Sequence, residues 1–506
     1  MSSQRAEGSF SRVRSWIFPV HSNELKKLVL MGLLMALISF SFWLLHISKD
    51  TLIITAQHSG AEVINFLKLP VFLVSILFVM GYTWFSNIFQ QATIFYAVVS
   101  FFAVFFLVFT YFIYPNQDIL NLFTADEVAR LQVTYPWFKW LFPVIGYWGY
   151  SLFYIISELW GALILSLLFW QFANQITTID QSHRFYMFLG TFNGIGTVLA
   201  GFFVMYYESD PQSIDAYGQK LHHLMLILFF LCLCTIAIYH WIYRDALRDS
   251  KHSREGKNQI KLTDELKLSF VESFKYILRS RYIGYIAIIS VAYNVSINFV
   301  EVSWKSEIKK LYDSPLKIEE YFALITIYTG FLTGFMGIVG TGIIRHFSWK
   351  ATSLITPLFM IVLGGMFFLT TLFPERFGII SYVLGFTPLA LSVWIGQAHN
   401  LVSKSCKYSF FAATREMAFI PLDAELKFKG KAAVDVLSGR VGKVGASLAQ
   451  SVLLSLSVLG TQGSIASYLL IFLLLIFIMW VWSINSLNKE FLKVAYGSSA
   501  AESLRQ

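Results

Sequence analysis

Four ionisable side chains stand where an ionised group is costly. Lys68 lies early in one apolar run, within Val63–Pro70, and Glu158 sits near the middle of another, in Ser157-Glu158-Leu159-Trp160. Glu301 closes a third run and Lys443 interrupts a fourth. A charge at membrane depth costs several kcal/mol, so each is a functional candidate by default. Two fall in each half of the chain. Two cations and two anions facing one cavity neutralise each other when it is empty and can regroup around an anionic ligand. The lysines suit phosphate oxygens, being compact point charges with three donors. Purely structural roles are open to some of them: Lys68 by snorkelling to an interface, Glu301 by capping its helix. Glu158, with no other charge for a dozen residues on either side, has the least such escape.

The runs that carry these residues define the class. Of the 506 residues 56% are hydrophobic, 17% aromatic and only 14% charged, and the mean hydropathy is +0.61. Soluble domains carry about a quarter charged residues. Stretches of about 20 apolar residues, the length that crosses a hydrocarbon core, recur along the chain. Lipid offers no partner to backbone N–H and C=O groups, so a spanning run is helical or part of a closed barrel. These runs are continuous rather than alternating, which selects helices.

Twelve spans are expected, near 29–48, 63–85, 92–114, 146–171, 185–206, 221–243, 282–301, 320–343, 352–373, 378–400, 434–459 and 464–486. Between the sixth and seventh lies a stretch from Arg244 to Arg281 with ten Lys/Arg against six Asp/Glu. Six spans, a charged linker and six more spans predict an all-α polytopic membrane protein of two six-helix bundles, major-facilitator-like. The expected divisions are a cytoplasmic N-terminal segment 1–28, a first bundle 29–243, a linker 244–281, a second bundle 282–487 and a cytoplasmic tail 488–506. The first 28 residues lack the short apolar core and cleavage site of a signal peptide, so the first span is expected to direct insertion.

The Lys/Arg bias of the loops sets an orientation. The N-terminus, the linker, the His346–Lys350 turn and the Lys404–Lys431 segment are basic and expected inside; alternate loops carry Asp118, Asp126 and Glu127, or Glu208, Asp210 and Asp215. One stretch breaks the rule. Lys305, Lys309, Lys310 and Lys317, expected in an outer loop after the seventh span, hint at function there.

Other patterns carry less. Gly439-Arg440-Val441-Gly442-Lys443 has the wrong glycine spacing for a phosphate loop, and Val444 stands where Ser/Thr is required. Asn294-Val295-Ser296 matches a glycosylation triplet but lies within a span. The aromatic stretch Phe101 to Phe112 suits lipid contact or packing. Gly190, Gly194, Gly196 and Gly201, and Gly330, Gly334, Gly337, Gly340 and Gly342, suit close helix packing. Cys232, Cys234 and Cys406 suit packing.

Longer segments carry a family resemblance. They are Lys49-Asp50-Thr51-Leu52, Ser59-Gly60-Ala61-Glu62-Val63 with Phe66-Leu67-Lys68, Glu158-Leu159-Trp160-Gly161 and Leu168-Phe169-Trp170-Gln171-Phe172-Ala173-Asn174-Gln175. The second half adds Val300-Glu301-Val302-Ser303-Trp304-Lys305, Arg415-Glu416-Met417-Ala418-Phe419-Ile420-Pro421-Leu422-Asp423 and Lys429-Gly430-Lys431-Ala432-Ala433-Val434-Asp435-Val436. In these the chain resembles the bacterial and plastid ATP/ADP translocases, over nearly its whole length. The resemblance implies exchange of nucleotides across the inner membrane, classically ATP imported for ADP, with relatives that are proton-coupled or take other nucleotides. The family's charged functional positions align with Lys68, Glu158, Glu301 and Lys443. Three departures bear on substrate. The family's Arg-Asp-Thr before Lys-Asp is His46-Ile47-Ser48 here, its Gly-Lys-Ser-Gly-Gly is Gly442-Lys443-Val444-Gly445-Ala446, and its Phe-Asp-Pro-Thr-Lys is Phe411-Ala412-Ala413-Thr414-Arg415. His46, with an unperturbed pKa of about 6.5, is a candidate for proton coupling.

The expected function is therefore alternating-access transport of nucleoside phosphates, ATP for ADP. Lys68 and Lys443 are expected on phosphate oxygens, Glu158 and Glu301 as countercharges, and Lys49, Asp50 and Asn174 as further candidates for the cavity. The alternative is a proton-coupled symporter importing nucleoside triphosphates. No Walker motif, metal cluster or nucleophile constellation argues for an enzyme, a cofactor or a metal. The expected partners are the nucleotide and the bilayer, with no nucleic acid, and the chain is expected to be a monomer. A net charge of +9 agrees with an anionic cargo.

Overall fold

The computed structural model describes residues 24–86, 88–177, 179–207, 216–250, 280–422, 434, 441–457 and 459–496. The extreme N-terminus, most of the linker, Glu208, Asp210, Asp215, nearly all of the 423–440 segment and the end of the tail lie outside them.

Among the described residues, helices account for every apolar run. The first bundle contains α1 (Leu25–Thr55), α2 (Val63–Ser86), α3 (Gln91–Ile113), a short α4 (Ala125–Thr134), α5 (Trp148–Ile176), α6 (Ile179–Tyr206) and α7 (Ala216–Ser250). The second contains α8 (Arg281–Leu311), α9 (Pro315–His346), α10 (Trp349–Leu372), α11 (Pro388–Phe419), α12 (Gly442–Leu456) and α13 (Gln462–Tyr496). Nine described helices are long and apolar enough to cross a membrane, and a tenth span arises if Pro374–Val383 and α11, bent by 85°, count as one. The expected spans at 320–343 and 434–459 fall on α9 and, for the described part, on α12.

Helix ends follow local chemistry. The side chains of Ser280, Ser348 and Thr387 accept the N–H of Ile283, Ala351 and Ala390, capping α8, α10 and α11. Basic Lys309 and Lys310 close the last turn of α8, favourably placed against the helix dipole. π-Helical winding occurs in α3 at Phe109–Ile113, α5 at Gly161–Leu168 and α11 at Lys407–Phe411. Such turns recur at functional sites, and the one in α5 begins three residues after Glu158.

The seventh span differs from expectation. It does not stop at Glu301 but continues as helix to Leu311, roughly 15 Å further. Lys305, Lys309 and Lys310 are therefore helical rather than in a loop, and Lys305 is buried. Lys317 lies in the first turn of α9. The reason is compositional: polar residues ended the apolar run in sequence, but here they face protein, so the helix need not end.

Each bundle is internally packed, α1 against α5, α6 and α7, and α8 against α11, α12 and α13. The bundles meet where α6 runs along α9 and α2 along α12, with α1 also touching α8 and α9. The α6–α9 approach depends on glycine. A Cβ on Gly201 would sit 2.7 Å from the carbonyl oxygen of Ala323, and one on Gly330 would sit 2.5 Å from Val198 Cγ2. Gly190, Gly194 and Gly334 face open space, so spacing alone did not identify the packing glycines. The surroundings of Gly337, Gly340 and Gly342 lie outside what is described. In the aromatic stretch of α3, Phe101 and Phe112 are exposed while Phe102, Phe106 and Phe109 are buried against Trp160 and Phe153. The packing role is present, and the exposed members are left uncovered by protein on the outer side of α3. The three cysteines are free thiols, with Cys232 and Cys406 buried.

Candidate functional site

α1 supplies the centre of the site. His46, Lys49 and Asp50 are three and four residues apart, and therefore share one face of the helix. Other helices surround α1, so that face meets protein, and Lys49 and Asp50 are each 2% exposed. Burial on this scale is sustainable only if every charge finds a partner.

The partners form one continuous chain. Lys68 Nζ of α2 lies 3.2 Å from Glu158 Oε1 of α5, and Lys49 Nζ lies 2.9 Å from the same oxygen. Lys49 Nζ is also 2.8 Å from Asp50 Oδ1. Asp50 Oδ2 accepts from Lys305 Nζ of α8 at 2.8 Å. Lys305 lies one turn beyond Glu301 and reaches its Oε1 at 3.4 Å, and Lys404 of α11 donates to that oxygen at 3.2 Å. His46 Nε2 stands 3.6 Å from Asp50 Oδ2. The order is Lys68, Glu158, Lys49, Asp50, Lys305, Glu301, Lys404: four cations and three carboxylates, an excess of one positive charge. Tyr154, one turn before Glu158, places its ring under Lys49 Nζ at 4.2 Å and Lys68 Nζ at 5.4 Å. The face of an aromatic ring attracts a cation without binding it in fixed geometry. The Tyr154 hydroxyl is buried with no hydrogen-bond partner among the described residues.

Lys443, at the start of α12, is different. It makes no ion pair among the described residues, and its side chain is exposed. Lys407, Lys68, Glu158 and Glu301 are near enough to act on it electrostatically, which puts it beside the ion-pair chain. Asn174 is exposed near the end of α5, roughly 20 Å along the helix from Glu158 and outside the chain of ion pairs.

One end of the central space is shut, the end that carries the α1–α2, α8–α9 and α12–α13 connections. There Glu62 Oε1 accepts from the Ser306 hydroxyl at 3.1 Å and from the Gln462 backbone N–H at 3.1 Å. Gln462 Oε1 in turn accepts from Ser303 at 3.2 Å. Trp140 Nε1 donates to the Gly460 carbonyl at 2.5 Å, and Lys309 donates to the Ser59 carbonyl. All but the Ser303 bond join the first bundle to the second. Neutral and charge-assisted hydrogen bonds of this kind can be made and broken as a set.

A family model described as TLC ATP/ADP transporter matches residues 3–491. The chain belongs to that family. It is 39% identical over 97% of its length to ADP,ATP carrier protein 1 of Chlamydia muridarum, covering 93% of that protein. It is 35% identical to ADP,ATP carrier protein 1 of Rickettsia prowazekii, covering 97% of this chain and 98% of that one. Among solved structures it resembles a bacterial homologue of the iron transporter ferroportin in an inward-facing state, with TM-score 0.55, 12% identity and coverage of 92% and 100%. It also resembles a D-xylose–proton symporter, with TM-score 0.52, 14% identity and coverage of 92% and 97%. At such identities these likenesses speak to the fold, which is that of major-facilitator-type transporters.

For this TLC chain, Lys68, Glu158 and Glu301 are brought into one ion-pair chain with Lys49 and Asp50, and Lys443 lies beside it. Sequence reasoning missed Lys305 and Lys404 as members, and Tyr154 as their neighbour. A signal existed for Lys305: it stands four residues after Glu301, one helical turn, if the seventh span is drawn long enough. Lys404 was visible only as part of a basic segment expected inside. Its meeting with Glu301 is a tertiary fact.

Proposed function

We propose that the chain exchanges nucleoside phosphates across the inner membrane by alternating access, ATP for ADP. One observation carries this: a chain of four lysines and three carboxylates, buried at its centre and half-buried at its ends, with Lys443 beside it unpaired among the described residues, inside a family of ATP/ADP transporters. Polyphosphates shed tightly held water on entering such a space, and fixed ammonium groups compensate them. Lys68 and Lys443 take phosphate oxygens. Glu158 and Glu301 hold the lysines between visits and take them back on release. Lys49 and Asp50 couple the ends of the chain, and Asn174 meets cargo only at the mouth. No bond is made or broken, so the activity is transport rather than catalysis.

Both termini and the linker lie on the cytoplasmic side, and segments 29–243 and 282–487 are the moving bodies. The shut end then faces outward. The chain works as a monomer.

The test is uptake of labelled ATP into proteoliposomes loaded with ADP, compared with empty vesicles and with empty vesicles under an inward proton gradient. Uptake that depends on internal ADP is the expected result. Uptake into empty vesicles driven by the gradient would replace exchange with symport.

A further inference from the structure

We infer that the Asp50–Lys305 ion pair is a latch that holds the empty carrier on one side, making exchange obligatory. The inference rests on the exchange function proposed above. Lys68–Glu158, Lys49–Glu158, Lys49–Asp50 and His46–Asp50 lie within the first bundle, and Lys305–Glu301 and Lys404–Glu301 within the second. In the central chain, among the described residues, only Asp50–Lys305 joins one bundle to the other, at 2.8 Å.

Its place is where a rocking motion must act. Asp50 lies within two turns of the end of α1 at Thr55, and Lys305 within two turns of the end of α8 at Leu311. Both therefore sit toward the shut end, behind the Glu62–Ser306–Gln462 contacts. Opening that end separates α1 from α8 and must break the pair. Both groups are nearly inaccessible, Asp50 at 2% and Lys305 at 5% exposure, so water cannot replace the lost partner cheaply.

An anionic ligand changes the balance because it gives Lys305 the negative partner that separation of the bundles removes. Asp50 keeps Lys49 at 2.8 Å, and Lys305 keeps Glu301 at 3.4 Å. A phosphoryl oxygen can take Lys305 from Asp50 without leaving either residue bare. Bound nucleotide therefore supplies what the separating bundles lose, and an empty site does not. A side change is slow when the site is empty and fast when it is filled. That difference is obligatory exchange.

The distinguishing variant is Asp50→Asn in proteoliposomes. Its readout is the ratio of labelled ADP uptake into empty vesicles to uptake into ADP-loaded ones. Wild type is expected to give a ratio near zero, and Asp50→Asn to raise it at least tenfold. The exchanged pair Asp50→Lys/Lys305→Asp is expected to lower it again. An Asp50→Asn carrier that still requires internal nucleotide would overturn the latch. A wild type already indifferent to internal nucleotide would instead overturn the exchange function.

An inactive variant is covered by a second measurement. Ala61, fully buried at the shut end, is changed to Cys in a chain without its native cysteines and labelled by a membrane-impermeant maleimide without nucleotide. Asp50→Asn is expected to speed labelling at least tenfold; an unchanged rate would overturn the latch.

Discussion

Lys220 of α7 and Glu319 of α9 form a second cross-bundle ion pair, at 3.1 Å, away from the central space. Glu319 is completely buried, and Lys220 also donates to the Val204 carbonyl of α6 at 2.9 Å. Removing one member of such a pair leaves a buried charge uncompensated, whereas replacing both by apolar groups is often neutral. Lys220→Met is expected to destabilise the protein by about 3–5 kcal/mol. Lys220→Met/Glu319→Leu is expected to recover most of that loss. Thermal unfolding of wild type, Lys220→Met, Glu319→Leu and the double variant in detergent, read as a double-mutant cycle, checks the expectation. Additive losses would show that the pair contributes nothing as a pair.

Among the described residues, Lys443 has no carboxylate to release before it meets a ligand. Losing one charge-assisted contact of about 1.5–3 kcal/mol corresponds to roughly a ten- to hundredfold weaker half-saturation. Lys443→Gln is expected to show that loss with nucleotide, and Lys443→Arg a smaller one. Concentration-dependent exchange in proteoliposomes measures both. An unchanged half-saturation for Lys443→Gln would remove Lys443 from the phosphate site.

Glu158 holds Lys49 and Lys68 on a single oxygen. Without it, both ammonium groups are freer to meet the ligand, and on release Lys49 keeps only Asp50 while Lys68 has no carboxylate among the described residues. Glu158→Gln is expected to lower the half-saturation concentration and the maximal rate together, each by about tenfold for one lost charge-assisted contact. A fall in rate with unchanged half-saturation would mean that Glu158 acts on structure rather than on release.

The glycines of the bundle contact can be separated by their surroundings. Gly201→Val is expected to cost about 1–3 kcal/mol, because the new side chain meets the Ala323 backbone. Gly334→Val, facing open space, is expected to change stability by less than about 0.5 kcal/mol. Unfolding midpoints in detergent decide between the two.

Outside the spans, α4 begins with a reciprocal cap. The Thr124 backbone N–H donates to Glu127 Oε2 at 2.9 Å, and the Thr124 hydroxyl accepts from the Glu127 N–H at 3.3 Å. These bonds, the backbone one first, hold the Glu127 carboxyl below its ordinary range. A depressed carboxyl stabilises the fold above its unfolded pKa of about 4.3. That contribution disappears as pH falls through the lower folded value. Amide exchange in the first turn of α4, corrected for intrinsic rate, is expected to speed up between pH 6 and pH 3 (roughly the span that brackets this titration). Glu127→Gln is expected to remove most of that dependence.

The fold was legible because lipid imposes one rule on every span. Apolar runs had to be helices, and the charged linker divided them into two sets of six. The site was legible where charge broke an apolar run, which marked Lys68, Glu158, Glu301 and Lys443. It was not legible where a helix outlasted its apolar stretch. Lys305 reads as a loop residue because Ser303, Lys305 and Glu307 resemble a surface, yet all three are buried against other helices. Lys49 and Asp50 were marked only as weaker candidates, since the first span was drawn to end at residue 48. The helix runs to Thr55, and its last turns lie inside protein. Periodicity finds faces, but it cannot find what covers them.

The charge inventory also bears on membrane voltage. The central chain carries one excess positive charge, and Lys443 makes two. For the proposed exchange these fixed charges travel the same path in both directions and cancel over a full turn. What remains is the difference between cargoes, one elementary charge for a triphosphate traded against a diphosphate. A potential that is negative inside favours outward passage of the more highly charged nucleotide, by about 2.3 kcal/mol per 100 mV. Net import of the triphosphate would then depend on its concentration gradients outweighing an electrical term that the site cannot screen.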